Sequence, residues 1–157
     1  MTLTFPEACT AVCAPGTPFE IVEIDVAGVP TKVFSSAPAN IRALFAAASA
    51  RTDDFIVYDG EVSERWPMPR VLEQAGLIGH ALVTEFDVVK GDRVALAMRN
   101  YPEWITSYVA ITSIGAIVVP LNAWWQSEEL HFALVDSGAK LVLVDAERLG
   151  RLEAAVP

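Results

Sequence analysis

Polar and apolar positions alternate early in the chain and then give way to helical spacing. Val22, Ile24 and Val26 interleave with Glu23 and Asp25, the period of two that a half-buried strand shows. Gly28 and Pro30 mark a turn, and residues 31–34 return as a second strand. Asn40 is placed to cap a helix carrying Ile41, Leu44, Phe45 and Ala48 along one side. Residues 55–58 and 62–66 flank Asp59-Gly60, which predicts a hairpin with a two-residue turn. From Val71 the apolar positions Ala75, Ile78, Leu82 and Phe86 follow at spacings of four, three, four and four. That is one stripe of a long helix, weakened locally by Gly76 and Gly79.

The second half repeats a simpler rhythm. Gly91-Asp92 turns the chain into an apolar strand at 94–98. Asn100 stands three residues before Glu103 with Pro102 between them, a capping arrangement for a helix with Trp104, Ile105, Tyr108, Val109, Ile111 and Ile114. Gly115 ends that helix, and residues 117–119 form the next strand. Ser127 caps a further helix whose first turn holds Glu128 and Glu129, favourable at the positive end of the helix dipole. Gly138 closes it and residues 141–144 form a third strand. Short strands alternating with helices predict an α/β fold, a parallel-sheet βαβαβ core with flanking helices and an N-terminal hairpin. Residues 1–19 read as an irregular leader and residues 20–157 as one subdomain.

Composition narrows the function classes. Eleven Lys and Arg against twenty Asp and Glu give a net charge of −9, whereas nucleic-acid binding begins with a basic face. Apolar residues make up 53% of the chain and charged residues 20%, unlike a disordered tail. Residues 104–127 carry no charge and are long enough to span a bilayer. They include Thr106, Ser107, Thr112, Ser113, Gly115 and Pro120, however, and split into a helix-period half and a β-branched half. A buried helix–strand unit is therefore expected, not a transmembrane segment. The first sixteen residues lack a basic start and are interrupted by Pro6, Glu7 and Pro15, unlike a secretory signal. The expected location is cytoplasmic, with peripheral membrane association left open.

Candidate chemistry is sparse. No pair of the nine glycines has G-x-G spacing, and none of Lys32, Lys90 and Lys140 follows a glycine loop, so neither pattern that cradles phosphates is present. Cys9 and Cys13 stand four apart, but His80 and His131 are distant in sequence, and a closed zinc site needs four ligands. The acidic stretches 20–25 and 53–64 read as solvated faces. Asn122, Trp124 and Trp125 follow the second parallel strand, where open α/β sheets place ligands. Two readings stand: the adjacent indoles line an apolar-ligand or partner surface, or they pack over the neighbouring helices.

The run Gly91-Asp92-Arg93-Val94-Ala95-Leu96-Ala97-Met98-Arg99-Asn100 is followed by Pro102-Glu103-Trp104. Residues 111–122, ITSIGAIVVPLN, are followed by Ser127-Glu128-Glu129-Leu130 and Asp136-Ser137-Gly138-Ala139-Lys140. Together these blocks resemble the amino-terminal part of AMP-forming acyl-CoA synthetases, in the adenylate-forming ligase superfamily, over about residues 39–147. GVPTKVF and APANIRALF in the leader are similar to members acting on fatty acids. One departure is Trp66-Pro67-Met68-Pro69-Arg70-Val71-Leu72, whose prolines predict a helix starting after Pro69.

The resemblance implies a fatty-acid–CoA ligase that forms acyl-AMP from ATP with Mg and passes the acyl group to CoA. The family's phosphate loop, its adenine- and Mg-binding motifs, its ribose-binding Asp and its catalytic Lys lie downstream of everything matched here. No catalytic, cofactor-binding or metal residue is therefore assigned, and the chain alone is expected to be inactive. Its expected partners are the remainder of a ligase chain, with fatty acid, ATP and CoA, and a second copy of itself through uncovered apolar surface. The alternative is a stand-alone, non-catalytic binding or assembly module with the same sheet. An ordinary nucleotide-binding domain is disfavoured by the glycine positions.

Overall fold

The computed structural model describes residues 3–60 and 62–154. Its elements are α1 (Phe5–Val12), β1 (Ile21–Val26), β2 (Val29–Phe34), α2 (Ile41–Ala47), β3 (Asp54–Asp59), β4 (Ser63–Pro67), α3 (Met68–Thr84), β5 (Arg93–Ala97), α4 (Pro102–Ser113), β6 (Ile117–Pro120), α5 (Ser127–Ser137), β7 (Leu141–Val144) and α6 (Ala146–Glu153). The chain divides into two compact units, residues 1–40 and 41–157. The division falls after Asn40, whereas the sequence placed a boundary between 19 and 20.

In the first unit the expected hairpin forms, with Val22, Ile24 and Val26 opposite Val33, Thr31 and Val29. Ala27 and Gly28 both take positive φ, 52° and 86°, as a turn matched to strand twist requires. The leader is not wholly irregular: Thr4 and Glu7 form a capping box, with Thr4 N donating to Glu7 Oε2 at 2.8 Å, and so start α1.

In the second unit β3 pairs with β4, and Asp59 opposite Ser63 leaves three residues in the loop, not two. Gly60 is absent from the positive-φ glycines. Its lack of a side chain serves close approach instead, since a Cβ there would lie 2.2 Å from the Tyr58 hydroxyl. Helix α3 starts at Met68, earlier than expected: Pro67 is its N-cap and Pro69 sits in the first turn, where no intrahelical N–H is needed. Of its stripe, Val71, Ala75 and Leu82 are buried. Phe86 lies past the end of the helix at Thr84 and is half exposed.

The three parallel strands lie in the order β6-β5-β7. Val94, Ala95, Leu96 and Ala97 of the central strand are all fully buried. Val94 joins Leu82 of α3 and Ile111 of α4 on one face, while Ala95 and Ala97 join Leu130 of α5 on the other. The result is a three-layer α/β/α sandwich, as the alternation of elements predicts. The uncharged run 104–127 resolves into α4, β6 and the start of α5. No helix among the described residues is long and apolar enough to cross a membrane.

Two caps differ from expectation. Tyr101, not Asn100, is the N-cap of α4 and makes no side-chain cap bond; Pro102 at the first helical position supplies the pre-set φ. Gln126, not Ser127, caps α5 through a capping box with Glu129. Gly115 and Gly138 end α4 and α5 at φ 81° and 63°, as expected of left-handed C-terminal positions.

Candidate functional site

With β5 central, β6 lies on one side and β7 on the other, so the chain crosses back over β5 through α5. A ligand crevice in such a sheet opens outside the carboxyl ends of the strands, where connections diverge. Here three turns meet there: residues 98–101 after β5, residues 121–126 after β6, and Asp145 after β7. A cavity of about 640 Å³ opens at this end, with Arg99, Tyr101, Ala123 and Trp124 among its lining residues and Tyr58 and Glu64 contributed by the β3–β4 hairpin. The Arg99 guanidinium lies 5.0 Å from the centre of the Trp124 ring, within cation–π range. Tyr58 and Tyr101 meet edge to face with centroids 5.9 Å apart.

The two adjacent tryptophans separate. Trp124 is 66% exposed and forms a wall of this cavity. Trp125 is half-buried against the Leu121–Leu130 cluster and borders a different, apolar groove of about 550 Å³ with Val119 and Phe132. Asn122 sets this divergence, because its side-chain oxygen accepts the Trp124 amide at 2.9 Å and so turns the backbone locally. Trp124 thus stands open to solvent while Trp125 packs on α5.

Helix α6, which the sequence reading did not anticipate, fastens the cavity from behind. Asp145 Oδ2 accepts the Arg99 amide at 3.0 Å, and Oδ1 accepts the Arg148 amide at 2.9 Å. Arg148 is 1% exposed; its Nη1 lies 3.0 Å from Asp145 Oδ2 and its Nε donates to the Ala123 carbonyl at 2.7 Å. Arg151 adds a bond to the Trp125 carbonyl at 2.8 Å. Burial raises the Asp145 pKa, but the Arg148 and Arg99 amides and the Arg148 guanidinium outweigh it and hold the carboxyl below its ordinary value. Asp145 at a strand end with Arg148 three residues on was the available sequence signal for this helix start.

The other chemical candidates stay apart. His80 and His131 are exposed, and Cys9 and Cys13 are free thiols in the first unit. Among the described residues no group of three or more His, Cys, Asp or Glu side chains is arranged to hold a metal. Among the described residues the cavity lining carries one cation, Arg99, against Glu64 and Glu103. That donor set does not fit a magnesium-bound triphosphate.

An α/β/α sandwich with a crevice at the carboxyl ends of its parallel strands defines an open α/β fold whose cleft lies where such sheets place ligands. The profile of the AMP-binding enzyme family matches residues 44–157, and the chain belongs to that family. It is 38% identical over 65 residues to long-chain-fatty-acid–CoA ligase FadD13 of Mycobacterium tuberculosis, covering 41% of this chain and 13% of the relative. It is 27% identical over 103 residues to human long-chain fatty acid transport protein 6, covering 66% of this chain and 16% of the relative. Among solved structures, a Mycobacterium tuberculosis fatty acyl CoA synthetase superposes with a TM-score of 0.66 at 27% identity, over 73% of this chain and 23% of that one. The chain thus spans under a quarter of the length of these proteins, and corresponds to the amino-terminal part of adenylate-forming ligases.

Proposed function

We propose that this chain is the amino-terminal portion of an ATP-dependent fatty-acid–CoA ligase, contributing residues 20–157 to the adenylation domain. In the complete enzyme the carboxylate of a fatty acid is activated as acyl-AMP with ATP and Mg, and the acyl group passes to CoA in the cytoplasm. The observation that carries this reading is the parallel sheet with its open crevice, in a chain matched by the family profile over residues 44–157. The similarity to FadD13 supports the fatty-acid assignment. Trp124, whose amide is held by Asn122, forms the wall of the crevice that faces ligand, and the Trp125 groove receives the remainder of the ligase chain. By itself the chain is inactive, because its cleft offers one guanidinium where phosphoryl chemistry needs several positioned charges. Phe132 and Val135, each 68% exposed on α5, favour self-association of the isolated chain.

The test is a chimera. This chain replaces the corresponding segment of FadD13, and ATP–pyrophosphate exchange is measured with dodecanoate. Exchange by the chimera and none by the chain alone is the expected outcome. Robust exchange by the chain alone overturns the inactivity, and a correctly folded but inert chimera overturns the assignment. Light scattering of the isolated chain should show dimers or larger species; a clean monomer at high concentration removes the self-association.

A further inference from the structure

The guanidinium of Arg148 is an expensive group to bury. It is 1% exposed, and its Nη2 has no hydrogen-bond acceptor among the described residues. A buried ion pair with an unsatisfied donor is weak evidence for stability. What the arrangement does deliver is geometry. Through Nε, Arg148 holds the Ala123 carbonyl in the turn after β6. Through Nη1 it holds the Asp145 carboxylate, which in turn holds the Arg99 amide in the turn after β5. Arg151, one helical turn further on, bonds both the Ala123 and the Trp125 carbonyls. The two turns so gripped are the ones that carry Arg99 and Trp124, the cation and the indole on the cavity wall.

We infer that α6 is a clasp and that Arg148, acting through Asp145, is a positioning residue that sets the Arg99–Trp124 wall of the cleft. The fork of a guanidinium is what the task requires, since two acceptors from different loops must be held in one plane. A lysine ammonium is a point charge on a flexible stem and reaches one of them. The inference concerns the geometry of the cleft; its bearing on ligand rests on the reading given under Proposed function.

The test uses the 157-residue chain as Arg148→Met, Arg148→Lys and, as a control for lost stability, Leu82→Ala. Leu82 is buried on the opposite face of the sheet, in a cluster that includes no residue of either turn. Amide spectra and hydrogen exchange are recorded for residues 99–101 and 123–125. Arg148→Met should shift both sets and speed exchange of the Arg99 amide about tenfold or more, as expected for losing a bond to a charged acceptor. Arg148→Lys should shift one set and spare the other, and it decides the matter if Arg148→Met fails to fold. Leu82→Ala should leave both sets in place. Unmoved turn amides in the Arg148 variants, or the same local pattern in Leu82→Ala, overturn the clasp. Dodecanoate titration, read at the Trp124 indole, then separates the two ideas. Binding weakened about tenfold by Arg148→Met extends the clasp to ligand recognition. Failure of the unsubstituted chain to bind dodecanoate removes the ligand role of the wall, while the amide pattern still judges the clasp.

Discussion

Gly76 and Gly79 lie three residues apart in α3 and should respond to the same substitution in opposite ways. An alanine methyl at 76 meets nothing within 4 Å, so Gly76→Ala gains only helix propensity, about 1 kcal/mol. At 79 the methyl would lie 3.3 Å from Ile114 Cγ2 and 3.8 Å from the Ala110 carbonyl oxygen, where α3 packs on the end of α4. That separation is a few tenths of an ångström inside comfortable carbon–carbon contact. Ile114 is packed with Leu82, Val94 and Ile111, which resist its displacement, and overpacking of a filled core costs about 1–3 kcal/mol. Gly79→Ala is therefore expected to be destabilising by up to about 2 kcal/mol, propensity having offset part of the strain. Urea unfolding of both variants measures the difference. In a domain of this size each kcal/mol should move Tm by about 2–4 °C. Ile114→Ala in the Gly79→Ala background closes a double-mutant cycle, and the coupling should be favourable because the second change removes the atom the first one strikes. Equal stabilisation by both glycine substitutions, or a coupling near zero, would refute the claim that this helix pair is packed through Gly79.

Gly115→Ala places a side chain at φ 81° and 3.0 Å from Lys90 Cγ. Lys90 can swing aside but the backbone cannot, so a loss of about 1–2 kcal/mol is expected in thermal unfolding. Leu130→Ala removes a fully buried side chain between β5 and α5 and should lose about 2–5 kcal/mol by urea titration. Asp145→Asn tests the charge of the clasp. The folded pKa is lowered, so the contribution of the carboxylate is present above its unfolded value near pH 4 and is lost as pH falls through the folded value. The stability gap between unsubstituted chain and Asp145→Asn should be about 3 kcal/mol at neutral pH and narrow under acid. A gap that stays constant with pH would mean that the ionised form is not what matters.

The parallel half of the fold was legible because its signals are local and redundant. β-branched runs, a proline at a helix start and glycines at two helix ends each act within a few residues, and they agree with one another. What escaped the sequence was settled by contacts between distant residues. Gly60 looks like a turn residue with positive φ, yet it is there to admit the Tyr58 ring. Asn100 looks like a cap, but Pro102 already fixes the first turn of α4 and leaves Tyr101 as the N-cap. The candidate site follows the same division. The sequence pointed to Asn122, Trp124 and Trp125 from their place after a strand, and one of the three, Trp124, lies on the cavity wall. It did not find Arg99, Asp145 and Arg148, because their significance arises only when strand order β6-β5-β7 brings residues 99, 123 and 145 to one edge. Asp145 is 46 positions from Arg99 and Arg148 is 25 from Ala123. No periodicity spans such gaps, whereas a parallel sheet closes them, since it stacks the carboxyl ends of strands that are distant in sequence. A cleft wall can thus be assembled from turns at one edge of a sheet even when each turn, read singly, resembles ordinary loop.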